Sequence, residues 1–140
     1  MSSRARGIRL NEGLEREIER EARLRGQSFT STTAEMLAES VRMRRVPGIV
    51  FSDGPAGRRA TVAGTGLDVW EVIGAWKEGG EQWGALRENY DWLTDFQLRS
   101  AVAYYKLYPD EIDARLAAED HWTAERVEAE LPFLSPRRER

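Results

Sequence analysis

Ahead of Pro47 the chain offers only three pieces to fold. They are a short basic stretch, Arg4-Ala5-Arg6-Gly7-Ile8-Arg9-Leu10, and two helical patterns split by Gly26. A strand over 4–10 is a marginal edge by itself, because an unpaired strand exposes a row of free N–H and C=O groups. Paired with the same strand of a second chain it becomes a two-stranded ribbon, and a ribbon of that width fits the DNA major groove. Alternation puts Ala5, Gly7 and Arg9 on one face and Arg6, Ile8 and Leu10 on the other. Ile8 and Leu10 are then expected to pack on the helices that follow, while Arg9 points outward. An ordinary solvated N-terminal arm is the competing reading, since chain ends commonly fray.

The helices themselves are well marked. Asn11 is a good N-cap, and Glu12 and Glu15 suit the positive end of the helix dipole. Leu14, Ile18 and Ala22 recur every four residues, which predicts one apolar stripe on a helix from about 12 to 25. Glu12–Arg16, Glu19–Arg23 and Glu21–Arg25 are i,i+4 pairs with the acid first, the better order. Gly26 ends this helix. Ser28 or Thr30 can cap a second one, running to roughly Arg45 with Phe29, Thr33, Met36, Leu37 and Val41 on its inner side.

Charge divides the chain where Pro47 does. The net charge of −3 would by itself argue against a nucleic-acid partner. Residues 1–47, however, carry 10 Arg against 7 Glu, and the remainder carries 11 basic against 17 acidic side chains. The halves are therefore +3 and −6, which suggests a nucleic-acid module joined to one with a different job. The absence of cysteine excludes a disulfide framework and any thiolate metal site, and fits a reducing cytoplasm. No apolar run approaches the roughly 20 residues of a membrane span. The basic N-terminus lacks the apolar core of a secretory signal.

Beyond Pro47-Gly48, Ile49-Val50-Phe51 and Arg59-Ala60-Thr61-Val62 read as two short strands of a hairpin, with a loop over 52–57. The rest is helical. Leu67, Val69, Val72, Ile73 and Trp76 mark one helix, closed by Gly79-Gly80, and Trp83, Leu86 and Tyr90 a short second. Thr94 and Asp95 start a third, which carries Phe96, Leu98, Val102, Tyr104 and Tyr105. Pro109 opens a fourth, from about 110 to 130, with Ile112, Leu116, Trp122 and Val127. The fold class is thus mainly α with short β. Residues 1–46 are expected to form one domain, 47–131 a hairpin-plus-helix domain, and 132–140 a flexible basic tail.

The segment 4–45 resembles the ribbon-helix-helix repressors of the Arc/CopG type. The likeness lies in Ile8-Arg9-Leu10, in Leu14, Ile18 and Ala22, and in Gly26-Gln27-Ser28-Phe29-Thr30 at the turn. It implies an intertwined homodimer in which two strands read the groove and the N-terminus of the second helix anchors a phosphate. Arg9 then takes a base-reading place, and Ala5 and Gly7 the other two outward places. Ser28 and Thr30 fall at the phosphate. Ala5 and Gly7 cannot hydrogen-bond a base edge through a side chain, so readout leans on Arg9, with Arg4 and Arg6 helping at the phosphates.

The segment from about 49 to 107 is similar to a small bacterial family known as domain of unknown function 433. The likeness runs through Val62-Ala63-Gly64-Thr65-Gly66-Leu67-Asp68-Val69, Glu78-Gly79-Gly80, Tyr90, Leu93-Thr94 and Ala101-Val102-Ala103-Tyr104. Gly66 stands where that family usually has Arg, and Tyr90-Asp91 where it has Tyr-Pro. The resemblance implies a helix-turn-helix-like unit, often the antitoxin partner of a PIN-like ribonuclease toxin. Its third helix would be the recognition helix, but it opens with Asp95 and offers only Gln97, Arg99 and Lys106 within a −6 segment. Cationic charge supplies most non-specific DNA affinity. Protein binding is therefore the expected job of this half. Most of Trp70, Trp76, Trp83, Trp92 and Trp122 are expected in its core, with one or two exposed at a partner interface.

Arg137, Arg138 and Arg140 suggest a sharper partner contact: a basic tail could enter the carboxylate pocket of a PIN-like nuclease and compete with its metal ion. A plain solubilising tail is the simpler account. Enzyme readings fare badly. His121 is the only histidine, and with Glu125 at i,i+4 it falls short of the three protein ligands of a catalytic zinc site. Gly64-Thr65-Gly66 and Gly54-Pro55-Ala56-Gly57 lack the Gly-Lys-Ser/Thr ending of a phosphate loop and read as turns. No catalytic residue and no cofactor are expected. The sequence reads as a cytoplasmic, homodimeric DNA-binding repressor, by resemblance the antitoxin of a toxin–antitoxin pair acting on a palindromic operator in double-stranded DNA. A protein-interaction adaptor and a stand-alone transcription regulator without a toxin are the alternatives.

Overall fold

The computed structural model describes residues 3–121, 124–131 and 133, which are mainly helical with one two-stranded antiparallel hairpin. The chain divides into two compact units, Met1–Arg44 and Arg45–Arg140.

In the N-terminal unit, residues 3–11 have no assigned secondary structure and precede α1 (Glu12–Arg25) and α2 (Phe29–Arg45). The strand expected at 4–10 is not formed within a single chain. A strand exists only by hydrogen bonding to a neighbour, and this unit supplies none. The Asn11 side chain accepts from the Leu14 N–H at 2.8 Å and caps α1. Gly26, at φ 63°, closes it in the left-handed conformation, its N–H turned back to the Ala22 and Arg23 carbonyls. The Ser28 hydroxyl accepts from the Ser31 N–H at 3.0 Å and so serves the start of α2. Thr30 lies inside the first turn instead of capping it.

Only Ile18, Ala22 and Thr32 are buried among the described residues of this unit. Ile8, expected to pack on the helices, is 67% exposed, and Leu24 is 73% exposed. Leu37 and Val41, expected on the inner side of α2, are each 54% exposed, and Phe29 is also uncovered. Two short helices cannot enclose their own apolar stripes. The faces they would bury against have to come from elsewhere.

The C-terminal unit has a continuous core. The hairpin pairs β1 (Ile49–Gly54) with β2 (Gly57–Val62) in the register Ile49↔Val62 to Gly54↔Gly57. The strands therefore run almost to the tip, and the connection is Pro55-Ala56 alone, shorter than the loop expected over 52–57. Asp53 and Arg58, opposite each other in that register, form an ion pair of 3.2 Å. Gly64, Thr65 and Gly66 make the next turn, with the Thr65 hydroxyl donating to the Val62 carbonyl at 2.7 Å and accepting from the Leu67 N–H.

Helices α3 (Val69–Glu78), α4 (Trp83–Asn89), α5 (Asp95–Leu107), α6 (Pro109–His121) and α7 (Ala124–Glu130) follow. The last two lie within the span expected as one helix, on either side of residues 122–123, which are outside the described residues. Asp68 and Glu71 form a capping box at α3, and Thr94 and Gln97 another at α5. Leu93 and Leu98, flanking the Thr94 cap, are both buried, which adds a hydrophobic staple and fixes where α5 begins. Helix α3 packs on α4, α5 and α6, and the hairpin lies against α3 and α5. Ile49, Val62, Val69, Val72, Ile73, Leu86, Leu98 and Tyr104 are almost wholly enclosed. No described tryptophan is fully buried. Trp70, Trp76 and Trp83 pack half-buried against the core, and Trp92 is 61% exposed. Trp122 lies outside the described residues. An indole is large, so partial burial suits it better than full enclosure.

Gly48 ties the start of this unit to α5. It has φ 99°, and a β-carbon there would sit 2.6 Å from the Ser100 hydroxyl and 2.9 Å from the Phe96 ring. That hydroxyl donates at 3.0 Å to the Pro47 carbonyl and lies 2.7 Å from the Phe96 carbonyl.

Candidate functional site

In the N-terminal unit the structure places Arg4, Arg6 and Arg9 on the solvent-facing leader before α1, all three exposed. Ser28 and Thr30 are exposed at the N-terminus of α2. The Ser28 oxygen is engaged as an acceptor from Ser31, which leaves its proton free to be donated. Early N–H groups of a helix attract anions. The single chain does not gather the three arginines into a site. It leaves them and the start of α2 open to one.

Two concavities of the C-terminal unit differ in character. The first, about 190 Å³, lies between the hairpin turn and α6 and is lined by Arg58, Arg59, Asp68, Trp70, Glu111 and Arg115 among others. Its charges are largely spent on each other or on near neighbours. Arg59 pairs with Asp68 at 3.2 Å, and Arg115 with Glu119 at 2.7 Å. The Tyr104 hydroxyl donates to Glu111 at 2.6 Å, and the Trp70 ring N–H to Asp68 at 3.0 Å. Arg115 also lies over the Trp70 ring, 5.1 Å from its centroid. This network joins the hairpin, α3 and α6, and reads as a structural lock.

The second concavity, about 340 Å³, is lined by Trp76 of α3, Trp83 of α4, and Arg99, Val102, Ala103 and Lys106 of α5. Arg99 lies over the Trp83 ring, 5.7 Å from its centroid. Of the three polar residues of α5 considered as DNA contacts, Gln97 is committed to the capping box, its carbonyl oxygen accepting from the Thr94 N–H at 2.9 Å. Asp95 pairs with Arg87 at 2.8 Å. Sequence reasoning found Arg99 and Lys106 but not their grouping with the two tryptophans. Their spacing of seven puts both cations on one face of α5, and nothing in it points to the tryptophans of α3 and α4.

Lys77 of α3, Tyr105 of α5 and Asp113 of α6 form a node. Lys77 reaches Asp113 at 2.9 Å, and the Tyr105 hydroxyl donates to the same carboxylate oxygen at 2.8 Å. The hydrogen bonds from Lys77 and Tyr105 hold the Asp113 carboxyl below its ordinary range. Hydrogen bonding to Tyr105 and Asp113 raises Lys77. Burial, with Glu71 and Glu78 nearby, raises the Tyr90 phenol.

Residues 49–105 match a family model described as a protein of unknown function, DUF433. The match supports a C-terminal domain of that family. It covers the hairpin, α3, α4 and most of α5, and with them every residue of the Trp76–Trp83 concavity except Lys106. No curated protein and no solved structure matches the chain. Among the described residues no group of three or more His, Cys, Asp or Glu is placed to hold a metal ion, and no helix is long and apolar enough to cross a membrane. His121 ends α6 beside the Arg126 guanidinium. Arg137, Arg138 and Arg140, singled out for a partner contact, lie outside the described residues.

Proposed function

We propose that this chain is a homodimeric DNA-binding repressor whose N-terminal unit pairs with a second copy and whose C-terminal unit binds a protein. One observation carries the reading: the uncovered apolar face of the N-terminal unit, contrasted with the closed core of the C-terminal one. A unit of this size with three buried side chains needs a partner to fold. A second copy offers the same face by symmetry. It would also give each leader a strand to pair with, turning two marginal edges into one ribbon with Arg9 presented twice. The surplus of cationic charge in residues 1–47 supports DNA as what that ribbon meets.

The resemblance of the C-terminal domain supports the finer role. The protein would be the antitoxin of a type II pair, neutralising a PIN-like ribonuclease toxin through that domain and repressing its own operon at a palindromic operator. Sedimentation and gel-shift titration together test the proposal. A dimer that binds duplex DNA with an affinity falling steeply with salt is the expected result. A stable monomer, or a dimer without duplex binding, would overturn it, and the second outcome would favour the adaptor.

A further inference from the structure

We infer that the concavity between α3, α4 and α5 is a docking groove for an acidic segment of a partner protein that carries an apolar anchor. The inference rests on reading the C-terminal unit as the partner-binding half, and it specifies what that half recognises.

The groove's floor is apolar, made by Trp76, Trp83, Val102 and Ala103. Its volume of about 340 Å³ falls at the small end of ligand pockets, fit for an anchor side chain but not for a whole domain edge. The rim is cationic. Arg99 and Lys106 stand seven residues apart on α5, about 10 Å along the helix, and no carboxylate lines the groove. Five other cations of this unit are matched with acids: Arg58 with Asp53, Arg59 with Asp68, Lys77 with Asp113, Arg87 with Asp95, Arg115 with Glu119. Arg99 instead lies on the face of an indole. In a half-chain with six more acidic than basic side chains, two cations on an apolar cleft are a local reversal of sign.

That combination selects a ligand. Apolar floor and cationic rim complement a leucine- or aromatic-anchored segment flanked by Asp or Glu, and such central, desolvated anchors carry most of an interface's energy. Single-stranded nucleic acid, the other occupant that cations and indoles attract, fits less well. Base stacking needs an open ring face, whereas Arg99 lies over Trp83, and both indoles are packed against the core. Two cations also neutralise too few phosphates for useful affinity.

A phage-displayed library of short random peptides, panned on the full-length chain and counter-selected only on the bare support, reads the chemistry directly. The retained peptides should place Leu, Phe or Trp beside Asp or Glu and should shift the tryptophan emission on binding. Their affinity should fall by about tenfold or more on the Arg99→Glu, Lys106→Glu double reversal. It should fall similarly on Ala103→Phe, which fills the floor without changing charge. The substituted side chains are exposed, so both variants should keep the wild-type circular dichroism and melting temperature. Enriched peptides that are neutral or basic, or whose binding ignores both variants, would overturn the inference. So would a loss of affinity for oligothymidylate or operator duplex in the double reversal, which would show that the rim serves nucleic acid. A wild-type chain that neither dimerises nor binds duplex would remove the repressor function, yet would leave the peptide result standing.

Discussion

Truncating Leu37 to alanine tests whether the open face of the N-terminal unit is a dimer interface. Leu37 is 54% exposed in the single chain. Fully burying a leucine stabilises by about 1.5–3 kcal/mol relative to leaving it in water, so covering the remaining half is worth about 1 kcal/mol. Two-fold symmetry places the residue in the interface twice, which makes the loss about 2 kcal/mol and weakens dimerisation about 30-fold. Any cavity left behind adds to that. Sedimentation velocity across a dilution series measures the shift in dissociation constant. Leu107→Ala is the control, because Leu107 is comparably exposed but lies on the C-terminal unit. Equal dissociation constants for wild type and Leu37→Ala would refute the reasoning, and so would an equal effect from the control.

Three further outcomes follow from named contacts. Arg9→Ala should cost about 1–3 kcal/mol of operator affinity in a gel shift if the side chain reads a base, while Arg4→Ala should chiefly flatten the salt dependence. Gly48→Ala should lower stability to urea by about 1–3 kcal/mol, because it combines a left-handed backbone with a β-carbon driven into Ser100 and Phe96; an unchanged midpoint would count against that strain. Asp113→Asn should reduce stability at neutral pH. Because the folded carboxyl lies below its ordinary value of 3.8, the difference from wild type should persist down to that pH and close only as the folded group takes up its proton; a gap that is constant through acid unfolding would contradict the assignment.

Local chemistry made much of the fold legible. Asn11 and Gly26 bracket α1 because a cap and a left-handed glycine act within a few residues, and Thr94 marks the start of α5 for the same reason. What the sequence misplaced depended on partners distant in the chain or absent from it. The alternation at 4–10 describes a strand with nothing to pair to in one copy. The inner face expected for α2 is real as a pattern, but Leu37 and Val41 have no surface to meet. The hairpin strands reach further toward the turn than expected, because Gly54 and Gly57 can pair and leave only Pro55-Ala56 to bridge them. Of the site, Arg99 and Lys106 were visible as charges. Their company with Trp76 and Trp83 is set by how three helices pack, which spacing along one helix cannot reveal.

The unequal distribution of buried side chains has a kinetic consequence. The C-terminal half closes its core from its own residues, so its folding is first order and indifferent to how many copies are present. The N-terminal half, if it must borrow a neighbour's face, folds by a second-order encounter and comes apart on dilution. One polypeptide would then hold a partner grip that survives at low abundance, and a hold on DNA that switches on only once enough copies accumulate to meet.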